Sequence, residues 1–146
     1  MRDLPRQLSA GELAELFEGR TRFVERLAEL EDPLAEAPRL ARALSADEQR
    51  EVFDAHPPIG GSALSARSAR EQAAGEDDPA VLAELERLNR AYEERFGFRF
   101  VVFVNGRPKA EILPILRERL ERTREQELEA GLGELVAIAV DRWRRG

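Results

Sequence analysis

Residues 98–104 read Phe-Arg-Phe-Val-Val-Phe-Val, between Gly97 and the pair Asn105-Gly106, and whether this run is a strand decides the fold class. β-branched and aromatic residues favour extended backbone, and the flanking Gly and Asn-Gly are strand-ending signals, so local propensity alone predicts a strand. A strand needs a neighbour, because each of its N–H and C=O groups requires a partner. No second stretch of similar quality occurs in the chain. The run is therefore expected to be buried extended or irregular backbone within an all-α protein, a single compact multi-helix domain over residues 1–146.

Helix signals surround it on both sides. Upstream, Asp78-Pro79 joins a capping residue to a proline at the first helical position, and Val81, Leu82, Leu85, Leu88 and Tyr92 follow at helical spacing as far as Gly97. Downstream, Pro108 starts a long helix through Ile112, Leu113, Leu116 and Leu120 to about Ala130, with a disturbance at Pro114; Gly131 and Gly133 then read as the break before a last helix through Trp143. Near the N-terminus, Ser9 with Glu12 and Ser45 with Glu48 have the spacing of capping boxes, predicting one helix from near Gly11 and another that delivers the chain to His56. Between them Phe23, Val24, Leu27 and Leu30 form a helix closed at Asp32-Pro33, and Pro38 opens a short Ala/Leu-rich turn. The stretch His56-Pro57-Pro58-Ile59-Gly60-Gly61 must leave the helix as a rigid loop. A brief helix from Ser65 or Ser68 runs on through Glu71 and Gln72 toward Gly75.

Composition narrows the chemistry. The formal net charge of -6 disfavours nucleic acid as a partner. Arg117 to Arg124 interleave with Glu118, Glu121 and Glu125, which reads as a solvated helix face. With no Cys, one His and one Lys, thiol chemistry is excluded, and imidazole-rich metal sites and most Schiff-base schemes are hard to build. No apolar stretch approaches the length of a membrane span, so the expectation is a cytoplasmic protein with no membrane partner.

Three groups of residues stand out. His56 is the side chain whose ordinary pKa suits proton transfer near neutrality, and it sits where a helix gives way to the Pro/Gly loop; a surface or helix-terminal histidine is the plain alternative. Ser68, Glu71 and Gln72 share a helical face able to grip a polar heterocycle, unless Glu71 simply pairs with Arg67. Arg142 continues the apolar stripe of Leu132, Leu135, Ile138 and Ala139. A charge there needs an anion, either Glu71 or a substrate carboxylate, or else must snorkel to solvent at the chain end.

In their order, these stretches resemble the 2-oxo-4-hydroxy-4-carboxy-5-ureidoimidazoline (OHCU) decarboxylase family of uric-acid degradation. The likeness runs through HP-x-x-G at His56 to Gly60, S-x-x-EQ at Ser68 to Gln72, LN-x-x-Y at Leu88 to Tyr92, and FGF-x-F at Phe96 to Phe100. It continues with Arg119-Leu120, Glu127 and Arg142. The resemblance implies an all-helical fold, no metal or organic cofactor, a homodimer, and conversion of OHCU to (S)-allantoin. It makes His56 and Glu71 catalytic. Substrate contacts fall to Pro57, to Ser68, Ala69, Arg70, Glu71 and Gln72, to Arg142, and to the backbone of Phe100, Val101, Val102, Phe103 and Val104. The sequence departs from the family pattern at Pro58 (usually Asp), Arg99 (Pro), Arg122 (Asn) and Trp143 (Leu). Arg99 leaves open an enzyme acting on another ureide, and a non-catalytic helical adaptor is the rival from outside enzymology. The chain ends Arg-Arg-Gly, not in a peroxisomal Ser-Lys-Leu signal.

Overall fold

A computed structural model describes residues 7–56 and 78–145. Among these residues there are seven helices: α1 (Ala10–Leu16), α2 (Arg22–Leu27), α3 (Pro33–Ala43), α4 (Ala46–Ala55), α5 (Pro79–Phe96), α6 (Lys109–Leu120) and α7 (Arg124–Arg145). No strand occurs among them, and residues 99–104 form buried, irregular backbone as expected.

The chain divides into two compact units. One holds the described residues through His56 together with those from Glu129 onward, and the other holds the described residues from Asp78 to Leu128.

In the first unit, both anticipated capping boxes start helices. Ser9 Oγ accepts from Glu12 N–H at 3.1 Å while Glu12 reaches back to the Ser9 N–H at 3.0 Å. The Ser45 and Glu48 pair repeats the pattern for α4. Asp32-Pro33, read as a stop, is instead a start: α2 already ends at Leu27, Asp32 is the N-cap of α3 and Pro33 occupies its first turn, where a missing N–H costs nothing. Pro38 does not open a turn. It lies inside α3, where the helix gives up one backbone bond and is held by burial of Leu34, Ala37 and Ala41.

The expected break at Gly131 and Gly133 is also corrected, since α7 runs straight through both. A side chain at Gly131 would meet the Phe53 ring, with Cε1 2.6 Å from an ideal Cβ, so this glycine permits close packing of α7 on α4. The true break lies earlier, at residues 121–123. There Thr123 accepts from the Gln126 N–H at 3.1 Å and Gln126 returns to the Thr123 N–H at 3.0 Å, a third capping box.

In the second unit, α5 packs against α6. Gly97, at φ 81°, ends α5 in the left-handed conformation that glycine adopts without strain. After the irregular run, Asn105 and Gly106 take positive φ, and the turn closes with Arg107 N–H donating to the Val104 carbonyl at 3.1 Å. The Asn-Gly turn thus reverses the chain as in a hairpin, but Pro108 follows without an N–H and α6 begins at Lys109.

Candidate active site

His56 is the C-cap of α4. Its N–H donates to the Phe53 carbonyl at 3.2 Å, and the residue is only 4% exposed. Of the plain alternatives, a surface position is excluded because the residue is taken out of bulk water, while a helix-terminal position is what the structure has. The start of α4 is fixed as firmly as its end. Hydrogen bonds from the Ser45 backbone and side chain, followed by the nearby Arg26 and Arg22 charges, hold the Glu48 carboxyl below its ordinary range despite some desolvation. Gln49 Nε2 also donates to the Ala41 carbonyl at 3.1 Å.

Arg142 lies in the same unit and is 3% exposed, whereas Arg144 and Arg145 on the same helix are exposed. The structure gives it a partner that sequence reasoning did not name. Arg142 Nη2 meets Glu18 Oε1 at 2.8 Å, and Nη1 donates to the Leu16 carbonyl at 3.1 Å. Leu16 is the last residue of α1, where backbone carbonyls lack helical partners and the helix dipole favours a cation. Glu18 itself is held at φ 66°, an uncommon conformation for a non-glycine residue.

An open cleft on this unit is bordered by Gly19, Thr21 and Ala55 among others. Its charged walls are already engaged with one another, as Arg20 with Glu25, Arg22 with Glu51 and Arg50 with Asp54. None of the anticipated site residues among the described ones lines it.

In the second unit, Phe100, Val101, Val102 and Val104 are buried and Phe103 is partly so. Without a neighbouring strand, three carbonyls of this run, those of Val101, Phe103 and Val104, accept from arginines. Arg107 Nε donates to the Val104 carbonyl at 2.9 Å and its Nη2 to the Phe103 carbonyl. Arg119 Nη1 donates to the Val101 carbonyl at 2.8 Å.

Arg119 corrects the reading of its neighbourhood as a solvated face, being only 6% exposed. Its Nε meets Glu127 Oε1 at 2.6 Å, and the Tyr92 hydroxyl donates to the same oxygen at 2.8 Å. The guanidinium carbon stands 4.7 Å from the Phe100 ring centroid and 6.0 Å from that of Tyr92. Burial first, and then the bond to Glu127, pushes the Tyr92 hydroxyl above its ordinary value of 10.0. Buried ion pairs repay their desolvation only when further bonds satisfy both partners. Here Tyr92, Val101 and the aromatic faces supply only part of that, since Arg119 Nη2 and Glu127 Oε2 have no hydrogen bond among the described residues. Periodicity placed Tyr92 on the apolar face of its helix but did not flag Arg119 or Glu127, whose signal lay in the Arg119-Leu120 pair and in Glu127 of the family pattern.

Arg99, the departure from the family's proline, pairs with Glu93 at 3.1 Å. Pro57, Ser68, Ala69, Arg70, Glu71 and Gln72 lie outside the described residues. No helix among the described residues is long and apolar enough to cross a membrane.

Comparison with known proteins gives this arrangement a context. The chain is 37% identical over 97 residues to the uric acid degradation bifunctional protein TTL of Arabidopsis thaliana, covering 60% of this chain and 30% of that protein. It is 31% identical over 105 residues to the 2-oxo-4-hydroxy-4-carboxy-5-ureidoimidazoline decarboxylase of Haloferax volcanii, covering 69% of this chain and 62% of that one. The aligned part thus spans less than two thirds of either relative's length. A crystal structure of OHCU decarboxylase in the presence of (S)-allantoin superposes with a TM-score of 0.74 at 26% identity, covering 90% of this chain and 94% of that one. A family model described as OHCU decarboxylase matches residues 3–144, and the chain belongs to that family.

Proposed function

We propose that this chain, acting as a single domain, decarboxylates OHCU to (S)-allantoin. The observation that carries the reading is the family match across residues 3–144, joined to a buried His56 at the end of a firmly capped helix.

The chemistry asks for no external electron sink. The carboxylate-bearing carbon of OHCU adjoins a ring C=N bond; when the C–C bond breaks and CO2 leaves, the electron pair passes into that bond, and one proton must then reach carbon. His56, secluded from bulk water, is the residue proposed to move a proton at the reacting centre, with Glu71 as its catalytic companion. Pro57, Ser68, Ala69, Arg70 and Gln72 are assigned to hold ureido and ring groups, and the backbone of Phe100–Val104 to meet the ring. Arg142 supports an anionic part of the substrate. Its anchorage on Glu18 and the Leu16 carbonyl supports this by fixing the guanidinium in one place before substrate arrives. We extend the reading to a cytoplasmic homodimer that uses no cofactor.

Freshly generated OHCU provides the test, because its spontaneous decay gives racemic allantoin. Catalysis by this chain is expected to accelerate the decay and to produce one enantiomer, seen as a growing circular dichroism signal. Decay at the spontaneous rate to racemate would refute the proposal.

A further inference from the structure

The peptide between Val101 and Val102 is gripped from one side. Arg119 Nη1 lies 2.8 Å from the Val101 carbonyl oxygen, and the peptide bonds of the described chain are trans. In a planar trans peptide the C=O and N–H point in opposite directions, so the Val102 N–H faces away from Arg119. Among the described residues, no backbone group accepts from it. A charged donor on a carbonyl polarises the whole peptide and makes its N–H a better donor.

The guanidinium has little freedom to do anything else. Glu127 holds its Nε at 2.6 Å, Tyr92 braces the same carboxylate oxygen at 2.8 Å, and the Phe100 ring lies 4.7 Å away. Nη2 is buried with no hydrogen-bond acceptor among the described residues. Saturating every donor is therefore not what this site achieves; it places one nitrogen on a carboxylate and another on a backbone carbonyl. A planar fork does this with separate nitrogens, whereas a lysine presents a single point of charge.

We propose that Arg119 is a positioning residue for substrate: through the Val101 carbonyl it aims and strengthens the Val102 N–H as a donor to an acceptor oxygen of the ureidoimidazoline. The inference rests on the decarboxylase reading, in which this run's backbone meets the ring. The donor acts on ground state and transition state alike, so it governs KM more than kcat.

The test compares wild type, Arg119→Lys and Arg122→Met in turnover of fresh OHCU, with the Val102 amide followed by NMR. Arg122 approaches Glu127 Oε2 at 3.3 Å from a side chain that is 41% exposed. Its loss weakens the ion-pair cluster and leaves the Val101 carbonyl engaged. Arg119→Lys is expected to raise KM about tenfold, the scale of one charged hydrogen bond, with kcat changed less than about threefold. Its Val102 amide resonance is expected to move upfield, while Arg122→Met matches wild type in both readouts. Should Arg119→Lys not fold, the pair Arg119→Met with Glu127→Met removes both charges together, and the same rise in KM is expected. Wild-type KM in a folded Arg119 variant, an unmoved Val102 amide, or an equal rise in KM for Arg122→Met would each overturn the inference. A wild-type chain that does not turn over OHCU instead sinks the decarboxylase reading, and the substrate role of Arg119 with it.

Discussion

Replacing Arg142 by methionine separates a buried charge from an exposed one on the same helix. Methionine keeps much of the aliphatic stem, so the main loss is electrostatic. The Leu16 carbonyl loses a donor at 3.1 Å and Glu18 loses the guanidinium at 2.8 Å, from a carboxylate side chain only 10% exposed. If Glu18 escapes by taking a proton, then at pH 7 a carboxyl of ordinary pKa near 4.3 pays about 3.7 kcal/mol, and at pH 5 about 1 kcal/mol. That sets the scale: a loss of about 3–5 kcal/mol at neutral pH, shrinking by about 2–3 kcal/mol on acidification. Arg145→Met, which removes an exposed partner of Asp141, is expected to cost about 1 kcal/mol or less at either pH. Urea unfolding of both variants at the two pH values measures this. Equal losses for Arg142→Met and Arg145→Met, or a loss at Arg142 that ignores pH, would refute the assignment of Glu18 as its essential counter-charge.

Other outcomes follow from separate parts of the structure. His56→Ala is expected to lower enantioselective turnover by about a hundredfold or more with the helical circular dichroism retained; unchanged turnover removes His56 from the mechanism. The raised pKa of Tyr92 means the folded state keeps a proton that the unfolded chain releases above pH 10.0. Stability from this group is therefore full below that pH and falls by about 1.4 kcal/mol per pH unit as pH rises past it. Alkaline unfolding curves of wild type and Tyr92→Phe are expected to differ by that slope; parallel curves would contradict the buried hydroxyl. Gly133, with no neighbour within 4 Å of an added Cβ, is expected to gain up to about 1 kcal/mol on substitution by Ala. Gly131→Ala, by contrast, is expected to lose stability against the Phe53 ring, and a matching gain in thermal melting at both positions would disprove the close contact.

Features set by neighbours in sequence were the legible ones. Ser9 with Glu12 and Ser45 with Glu48 could be read because a capping box closes within four residues, and the all-α class followed from the absence of any partner for residues 98–104. Thr123 with Gln126 obeys the same rule, yet the Glu/Arg periodicity on either side masked it and let one helix be extended too far. Gly131 was misread for a different reason. Its role depends on Phe53, far away in the chain, and a helix propensity argument cannot see a ring packed against the backbone. Arg119 shows the limit of charge patterning, since an i to i+4 arrangement looks the same whether its face meets water or Tyr92, Phe100 and Glu127. His56 and Arg142, both singled out in the sequence, are buried, but Glu18 was not singled out, because its partner is 124 positions away.

The irregular run has a consequence for how this protein fails. Phe98–Val104 is a seven-residue stretch of aromatic and β-branched residues with one charge, the composition that stacks readily into cross-β assemblies. In the native chain the carbonyls of Val101, Phe103 and Val104 are capped by Arg107 and Arg119 rather than by another strand, so opening this unit exposes a backbone edge already suited to pairing with another copy. Arg99 within the run and Arg107 just beyond it act as gatekeepers against that pairing. A variant that loses the Arg119 anchor is therefore expected to aggregate faster than wild type as well as to fold less stably.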